Sequence, residues 1–373
     1  MRLQKVLAGV MVAALALTAA PVSSVRAEDE VPIDEEHFPD DIFRAYVSEN
    51  FDIDGDGSLS DDEIIMNPII DAEGVGISTL KGIEYFTALT DLHCGQNRLT
   101  TLDVSKNTAL TNLVCYGNQL TTLDVSGCTA LEQLDYSSNQ LTTLDVSGCT
   151  ALTDLNCSCN QLTTLDVSGC TALTELNCSC NLLTTLDVNG CTALTDLGCD
   201  GNQLTTLDVS KNTALEELNC DYNQLTTLDV SGCTELRELN CRFNQLTDLD
   251  LSSNVNLEKF YGERNQFTEI DVSALTNLKE HDGTLDTERK VLIYGISDLP
   301  ELTPDKTIKV GEKVTFKVKK KPASMEGFVQ GEVVSVKVKG KKVIVKGVSA
   351  GTVTVMAYNK KGKELGSWIV KVE

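Results

Sequence analysis

Between Ala88 and Thr276 the chain repeats one 21-residue unit nine times, and this repeat restricts what it can fold into more than any other feature. Each unit follows the pattern L-x-x-L-x-C-x-x-N-x-L-T-T-L-D-V-S-x-x-T-A, as in Leu152, Leu155, Cys157, Asn160, Leu162, Leu165, Asp166 and Val167. A unit this short cannot enclose its own leucines. It must stack on its neighbours, laying down one short strand per coil in a parallel sheet. At a strand spacing of about 4.8 Å, nine coils give a curved rod on the order of 43 Å long, with a concave sheet face open to a large partner.

The pattern is the leucine-rich-repeat signature, and it predicts an α/β-type solenoid over residues 88–281. The nine asparagines from Asn97 to Asn265 are expected to point inward and satisfy backbone groups buried where each strand ends. The nine aspartates from Asp103 to Asp271 would repel one another at coil spacing unless compensated, either by a ladder of cations or by hydrogen bonds from their own Asp-Val-Ser turns. The turn reading is preferred, because the Gly-rich nonapeptide of calcium-binding β-rolls is absent.

Fourteen cysteines suggest disulfides at first sight, but their positions argue for buried free thiols. Cys94, Cys115, Cys157, Cys178, Cys199, Cys220 and Cys241 share the inward site that Tyr136 takes in the third unit. Cys128, Cys149, Cys170, Cys191 and Cys233 alternate with Asn107 and Asn212 at a turn site. Cys159 and Cys180 remain, and form C-x-C pairs with Cys157 and Cys178 on adjacent coils. A Cys159 to Cys180 bridge, a zinc site and free thiols are the alternatives there.

Different chemistry flanks the repeats. Arg2 and Lys5, an apolar run from Val6 to Ala20 and the small-residue site Val25-Arg26-Ala27 predict a secretory signal over 1–27, and hence a secreted or cell-surface protein without membrane insertion. The C-terminus shows neither a sorting motif nor a hydrophobic tail, so covalent anchoring is not expected. Residues 28–87 are expected to form a small helical cap, its helix drawn from His37 to Phe51. Within it, residues 52–63 fit the EF-hand loop: Asp52, Asp54, Asp56, the Ser58 carbonyl, Ser60 and Glu63 would bind one calcium ion, with Gly57 making the turn. Residues 282–304 read as a linker, and from 305 to 373 the period switches to two, predicting an all-β sandwich.

Charge is divided along the same boundaries. Residues 28–300 hold 12 basic against 48 acidic side chains, a net of −36, whereas residues 301–373 carry 16 lysines against 7 acids, a net of +9. The acidic body excludes nucleic acid, because neutralising phosphates needs cations. The basic tail suits either an anionic cell-wall polymer or an ordinary solvated strand face. Catalytic signatures fail: Gly347-Val348-Ser349-Ala350-Gly351 copies a nucleophile elbow, but no histidine follows Ser349, and His37, His93 and His281 are scattered. With leucines and cysteines pointing inward, the exposed strand positions are mostly acidic until the last coils, where Tyr222, Arg242, Phe243, Tyr261 and Arg264 add the aromatic and guanidinium groups typical of binding hot spots.

The order of signal, cap, repeats and β-domain resembles the internalin-like secreted and surface leucine-rich-repeat proteins of bacteria. The segments Ile308-Lys309-Val310-Gly311-Glu312-Lys313-Val314-Thr315 and Lys346-Gly347-Val348-Ser349-Ala350-Gly351-Thr352-Val353-Thr354-Val355 look like a group 2 bacterial Ig-like domain. The resemblance implies non-catalytic recognition or adhesion, with a protein or glycan held by the repeat face. The other reading is a structural stalk without a specific ligand. The complete calcium loop departs from a purely helical cap.

Overall fold

The computed structural model describes residues 30–287 and 289–294, followed by the C-terminal segments 306–309, 313–317, 324–328, 334–339, 342–347, 351–358 and 364–372. The expected signal, 1–27, lies outside these residues, as do 295–304 of the expected linker and Ser349.

The described chain opens with strand β1, Val31–Pro32, followed by helix α1, Asp41–Asn50. Asp40 starts the helix by accepting bonds from the Ile42 and Phe43 amides at 3.0 Å, a side-chain cap for N–H groups that have no partner within the helix. Its other oxygen takes the Ser78 amide at 2.8 Å, which ties the helix to the first coil. Phe43 and Val47 are buried on the inner face, whereas Ile42, also at helical spacing, is exposed. Strand β2, Ser58–Leu59, pairs antiparallel with β1, and helix α2, Asp61–Ile65, leads into strand β3, Ile69–Asp71.

β3 already belongs to the solenoid. It forms one edge of an eleven-stranded parallel sheet that runs through three-residue strands at Asp91–His93, Asn112–Val114 and so on to Glu280–His281. The nine consensus units are thus extended by one imperfect coil at each end, and the stack begins inside the segment expected to be cap. The middle residue of each strand points inward: Ile70, Leu92, Leu113, Leu155, Leu239 and Phe260 lie in register and are fully buried. Each such side chain is worth about 1.5–3 kcal/mol when removed from water, and only a neighbouring coil can cover it.

Nine internal asparagines, one per unit, close the coils. Asn181 accepts the Leu162 amide at 3.0 Å and donates to the carbonyls of Cys157 at 3.0 Å and Cys178 at 3.1 Å, so one amide joins two coils. At the opposite turn, cysteine and asparagine exchange because both donate to the same carbonyl of the preceding coil. Asn212 reaches Val188 O at 3.0 Å, and Cys191 Sγ reaches Val167 O at 3.5 Å. All fourteen cysteines are free thiols, and all but Cys159 and Cys180 are buried.

Past the last coil, the first described part of the expected linker folds back. Thr284–Asp286 and Val291–Ile293 form an antiparallel hairpin, and Val291–Ile293 pairs again with Glu269–Asp271. Leu292 and Tyr294 are buried, with the Tyr294 ring 5.1 Å from Phe267, so residues 284–294 close the open end of the solenoid and do not serve as a connector. Farther on, the alternating segments are strands: Lys306–Ile308, Glu364–Val372, Gly351–Tyr358 and Ser324–Phe328 make a four-stranded sheet, and Lys313–Lys317, Lys342–Gly347 and Val334–Lys339 a three-stranded one.

Candidate ligand-binding face and cation loop

The cap presents its acidic loop as a preformed turn. Gly55 and Gly57 adopt φ of 74° and 87°, and Asp52 accepts the amides of Gly55 at 2.7 Å and Gly57 at 3.1 Å. Glu63 begins α2 as the partner of Ser60 in a reciprocal cap, and its carboxylate also accepts the Ile53 amide at 2.7 Å. Burial would raise the Glu63 carboxyl, but the bonds from Ser60, Ile53 and Asp54 outweigh it and hold the group below its ordinary value. Ligand oxygens of Asp52, Asp54 and Glu63 lie within 4.8 Å of one another. Three carboxylates converging beside tight glycine turns fit a hard divalent cation. Asp56 and Ser58 lie on the same loop but outside that convergent group, with Asp56 accepting the Ser58 amide at 2.8 Å, and Ser60 donates its hydroxyl to Glu63 at 2.7 Å.

On the solenoid, the exposed strand positions line the sheet in columns. Asp154, Glu175, Asp196, Glu217 and Glu238 follow one another in register on five successive coils. Burial, then neighbouring acids, raises the carboxyls of Asp154, Glu175 and Glu217. A second pair sits at the strand ends, where Asp200 accepts Asn219 Nδ2 at 2.9 Å and Asp221 accepts Asn240 Nδ2 at 3.1 Å. Burial, followed by the Asp200 charge, pushes Asp221 up to about 7. Gly198, which replaces the asparagine of the coils on either side, lies at one end of a groove of about 470 Å³ also lined by Asn112, Gln133, Asp154, Glu175 and Asp196.

Beside the sheet runs a ridge formed by one residue per coil, each in the left-handed region. Gln96, Ser138, Cys159, Cys180, Tyr222, Phe243 and Arg264 have φ from 47° to 64°, and glycines fill the same rung at Gly117 and Gly201. The sequence gives no hint of this conformation, since most rungs are not glycine.

The five predicted partner-binding residues lie on the last coils in two groups, Tyr222, Phe243 and Arg264 on the ridge and Arg242 with Tyr261 on the sheet. The Tyr222 and Phe243 rings stack at 4.0 Å and 12°, and the Arg264 guanidinium lies 5.8 Å from the Phe243 centroid. Arg242 stands 4.2 Å over Tyr261 while its Nε contacts Asp282 at 2.8 Å, so an internal carboxylate already holds this cation. Other cations here are paired too: Arg237 with Glu216 at 3.0 Å, Lys259 with Glu238 at 2.6 Å and Lys279 with Glu258 at 2.6 Å. The last coils therefore neutralise their own charge, whereas four acids of the central column, Asp154 to Glu217, form no salt bridge among the described residues.

The exposed cysteines also fall into place. Cys157 and Cys178 point into the core while Cys159 and Cys180 stand on the ridge, so neither C-x-C pair converges on one metal ion. The three histidines occupy separate places, His37 against Asp34 at 2.7 Å, His93 beside Asn112 and His281 beside Asp282. Among the described residues no helix is long and apolar enough to cross a membrane.

Comparison with known proteins agrees with this geometry. Models of leucine-rich repeats match residues 213–254, as two copies, and 179–201. Internalin J of Listeria monocytogenes serotype 4b (strain F2365) is 44% identical over 70 residues, 19% of this chain, and the match spans 8% of that protein's length. The solved functional domain of that internalin from Listeria monocytogenes, described as including a cysteine ladder, superposes with a TM-score of 0.59 at 27% identity, covering 94% of this chain and 100% of that one. A leucine-rich-repeat protein of Leptospira interrogans superposes at 0.50 with 25% identity, over 54% of this chain and 56% of that chain. The chain thus carries leucine-rich repeats and is similar to internalin J in the sequence of its repeats and in fold.

Proposed function

We propose that the chain is an exported, non-catalytic recognition or adhesion protein whose repeat face captures a protein or glycan ligand presenting positive charge. The observation that carries this reading is the acidic column from Asp154 to Glu217, without a salt bridge among the described residues and followed by the stacked Tyr222 and Phe243. Acids held together at coil spacing attract a cationic surface over long range and so raise the association rate, while buried aromatic and guanidinium contacts hold the complex. The C-terminal strands would act as an Ig-like spacer. Their lysines would lie against anionic wall polymer if the chain is retained at the cell surface.

The test is capture on arrays of basic and acidic peptides and of charged glycans by the immobilised chain. Replacing Tyr222, Arg242, Phe243 and Tyr261 together with Ala should weaken the strongest capture by about 2 kcal/mol or more, and Glu175→Lys with Glu217→Lys should mainly slow association. Unchanged capture by both variants, with circular dichroism intact, would move recognition elsewhere. Absence of any charge-selective capture favours a stalk.

In the cap, Asp52, Asp54 and Glu63, with Asp56, the Ser58 carbonyl and Ser60 completing the loop, would hold one calcium ion whose role is to stiffen the cap. A single extracellular loop is expected to bind at roughly 10⁻⁴ to 10⁻³ M. Calorimetry should show calcium-dependent heat in the wild type and none in Asp52→Ala. Equal heats in both would remove the site.

A further inference from the structure

We propose that Cys159 and Cys180 are a solvent-facing dithiol that closes reversibly into a coil-to-coil disulfide by exchange with low-molecular-weight disulfides, a modification site on the exposed ridge of the solenoid. The site is independent of which ligand the repeat face takes.

Position separates this pair from the other twelve cysteines. Those are buried in the two internal ladders, where any modifying reagent would have to open the stack. Cys159 is exposed and Cys180 partly so, on adjacent rungs, with φ of 54° and 55°. The left-handed backbone makes no demand for a thiol, since Gln96, Ser138 and Tyr222 adopt the same conformation on other coils. Parallel ladder bonds fix their spacing: the Cys159 amide donates to Ser179 O at 2.9 Å and the Cys180 amide to Asp200 O at 2.8 Å. Equivalent residues of neighbouring coils stand about 4.8 Å apart, inside the Cα separation that a disulfide requires. The Cys159 sulfur is near enough to Cys180 to act on its thiol. Gly201, on the next rung, leaves the Cys180 sulfur open on that side. Closure therefore needs side-chain rotation and a small adjustment of a surface turn, with the core left intact.

The exchange balances without an added reductant or metal. Cys159, the more exposed thiol, loses its proton and attacks one sulfur of the external disulfide, expelling one small thiol and leaving a mixed disulfide. Cys180 then loses its proton and attacks Cys159 Sγ, and the second small thiol leaves. The pair has given up two electrons and two protons, and the external disulfide has become two thiols. The second step is the slow one. Burial, then the Cys159 sulfur, Asp200 and Asp221, pushes the Cys180 thiol up to about 12, so few of these groups are thiolate at neutral pH. Closure should accelerate as pH rises, and Asp200→Asn, which removes one facing charge, should speed it several-fold.

The experiment uses the whole mature chain. Brief alkylation with N-ethylmaleimide under native conditions, followed by peptide mapping, should label Cys159 and Cys180 and leave the twelve ladder cysteines unlabelled. Equilibration of a separate, unalkylated sample with oxidised glutathione should yield a linked peptide pair containing Cys159 and Cys180, which dithiothreitol reverses. Cys180→Ser should instead accumulate glutathione on Cys159, with unchanged circular dichroism. Labelling spread over the buried cysteines, glutathione retained on both residues of the wild type, or no oxidation of either would each overturn the proposal.

Discussion

Two families of stacked carboxylates run along the same coils, and the solenoid treats them in opposite ways. On the turn side, Asp124, Asp145, Asp166, Asp208, Asp229, Asp250 and Asp271 each accept the amide of the serine two residues on, at 2.7–3.0 Å, and bonds from that serine's amide and hydroxyl lower every one of these carboxyls. On the concave side, Asp154, Glu175, Asp200, Glu217 and Asp221 are all raised, in each case by burial first. Spacing is shared, so spacing does not decide the outcome. Donors decide it: the turn column brings its own in every coil, and the concave column has only scattered asparagine and hydroxyl donors, as at Asp200 and Asp221. The turn acids are thus part of the fold, while the concave acids are tolerated against it, which is what a surface kept for a cationic ligand looks like.

The largest effect should come from the interior, where the demand for partners is strictest. Asn181→Ala removes the acceptor of the Leu162 amide and the donor to Cys157 and Cys178 carbonyls in a site almost free of water. Leaving these groups unpaired costs roughly 3–5 kcal/mol. Denaturant unfolding should show that loss as a lower midpoint. A change below about 1 kcal/mol would mean that water or a shifted turn supplies the missing partners, and that the interior is no stricter than the surface.

Next in size is the pH response of the concave column. A carboxyl raised in the folded state binds protons that the unfolded chain releases, so stability increases as pH falls through the folded value and stops increasing near the unfolded one. For Asp221 that window runs from about 7 down to its ordinary value of 3.8. Part of the shift belongs to its interaction with Asp200 and the group is not fully enclosed, so the gain between pH 8 and pH 5 is on the order of 2–3 kcal/mol. Asp221→Asn should be more stable than wild type at pH 8 and should flatten the profile. A wild-type chain that loses stability on going from pH 8 to pH 5 would place the concave acids among the stabilising groups and undo the contrast.

The two columns were not equally legible from the chain. The turn bonds follow from Asp-Val-Ser itself, because donor and acceptor are two residues apart, and the inward asparagines follow from the repeat period. Burial of Asp200 and Asp221 depends on neighbouring coils and on Asn219 and Asn240 reaching across, which no local pattern announces. The hairpin at 284–293 was missed for the same reason: it is held by pairing with Glu269–Asp271 after the consensus has faded. The candidate site was half legible. Repeat position placed Arg242 and Tyr261 on the strand face of the last coils and Tyr222, Phe243 and Arg264 at its edge, but not the capture of Arg242 by Asp282, a contact 40 residues apart in the chain.

The smallest effect sharpens the contrast from the other side. In the turn column the hydrogen-bonded atom is one carboxylate oxygen, Oδ1 of Asp166, which accepts the Ser168 amide at 2.9 Å. If the column is structural through that bond, Asp166→Asn should keep nearly the wild-type midpoint, because the amide oxygen accepts the same N–H, and relief of repulsion from Asp145 should offset the weaker acceptor. Asp166→Ala should lower the midpoint slightly more than Asp166→Asn, by releasing the turn. The sign of the pH dependence also inverts relative to the concave acids: a lowered carboxyl stabilises above its unfolded value, and that contribution is lost as pH falls through the folded one. Thermal melts of the two variants at pH 7 and pH 3 separate the cases. At pH 7 Ala should melt below Asn, and by pH 3 wild type should have lost part of any lead over Asn. If Asn melts as low as Ala at pH 7, the negative charge itself stabilises the turn, and the two columns differ in where their charge is compensated more than in whether they need it.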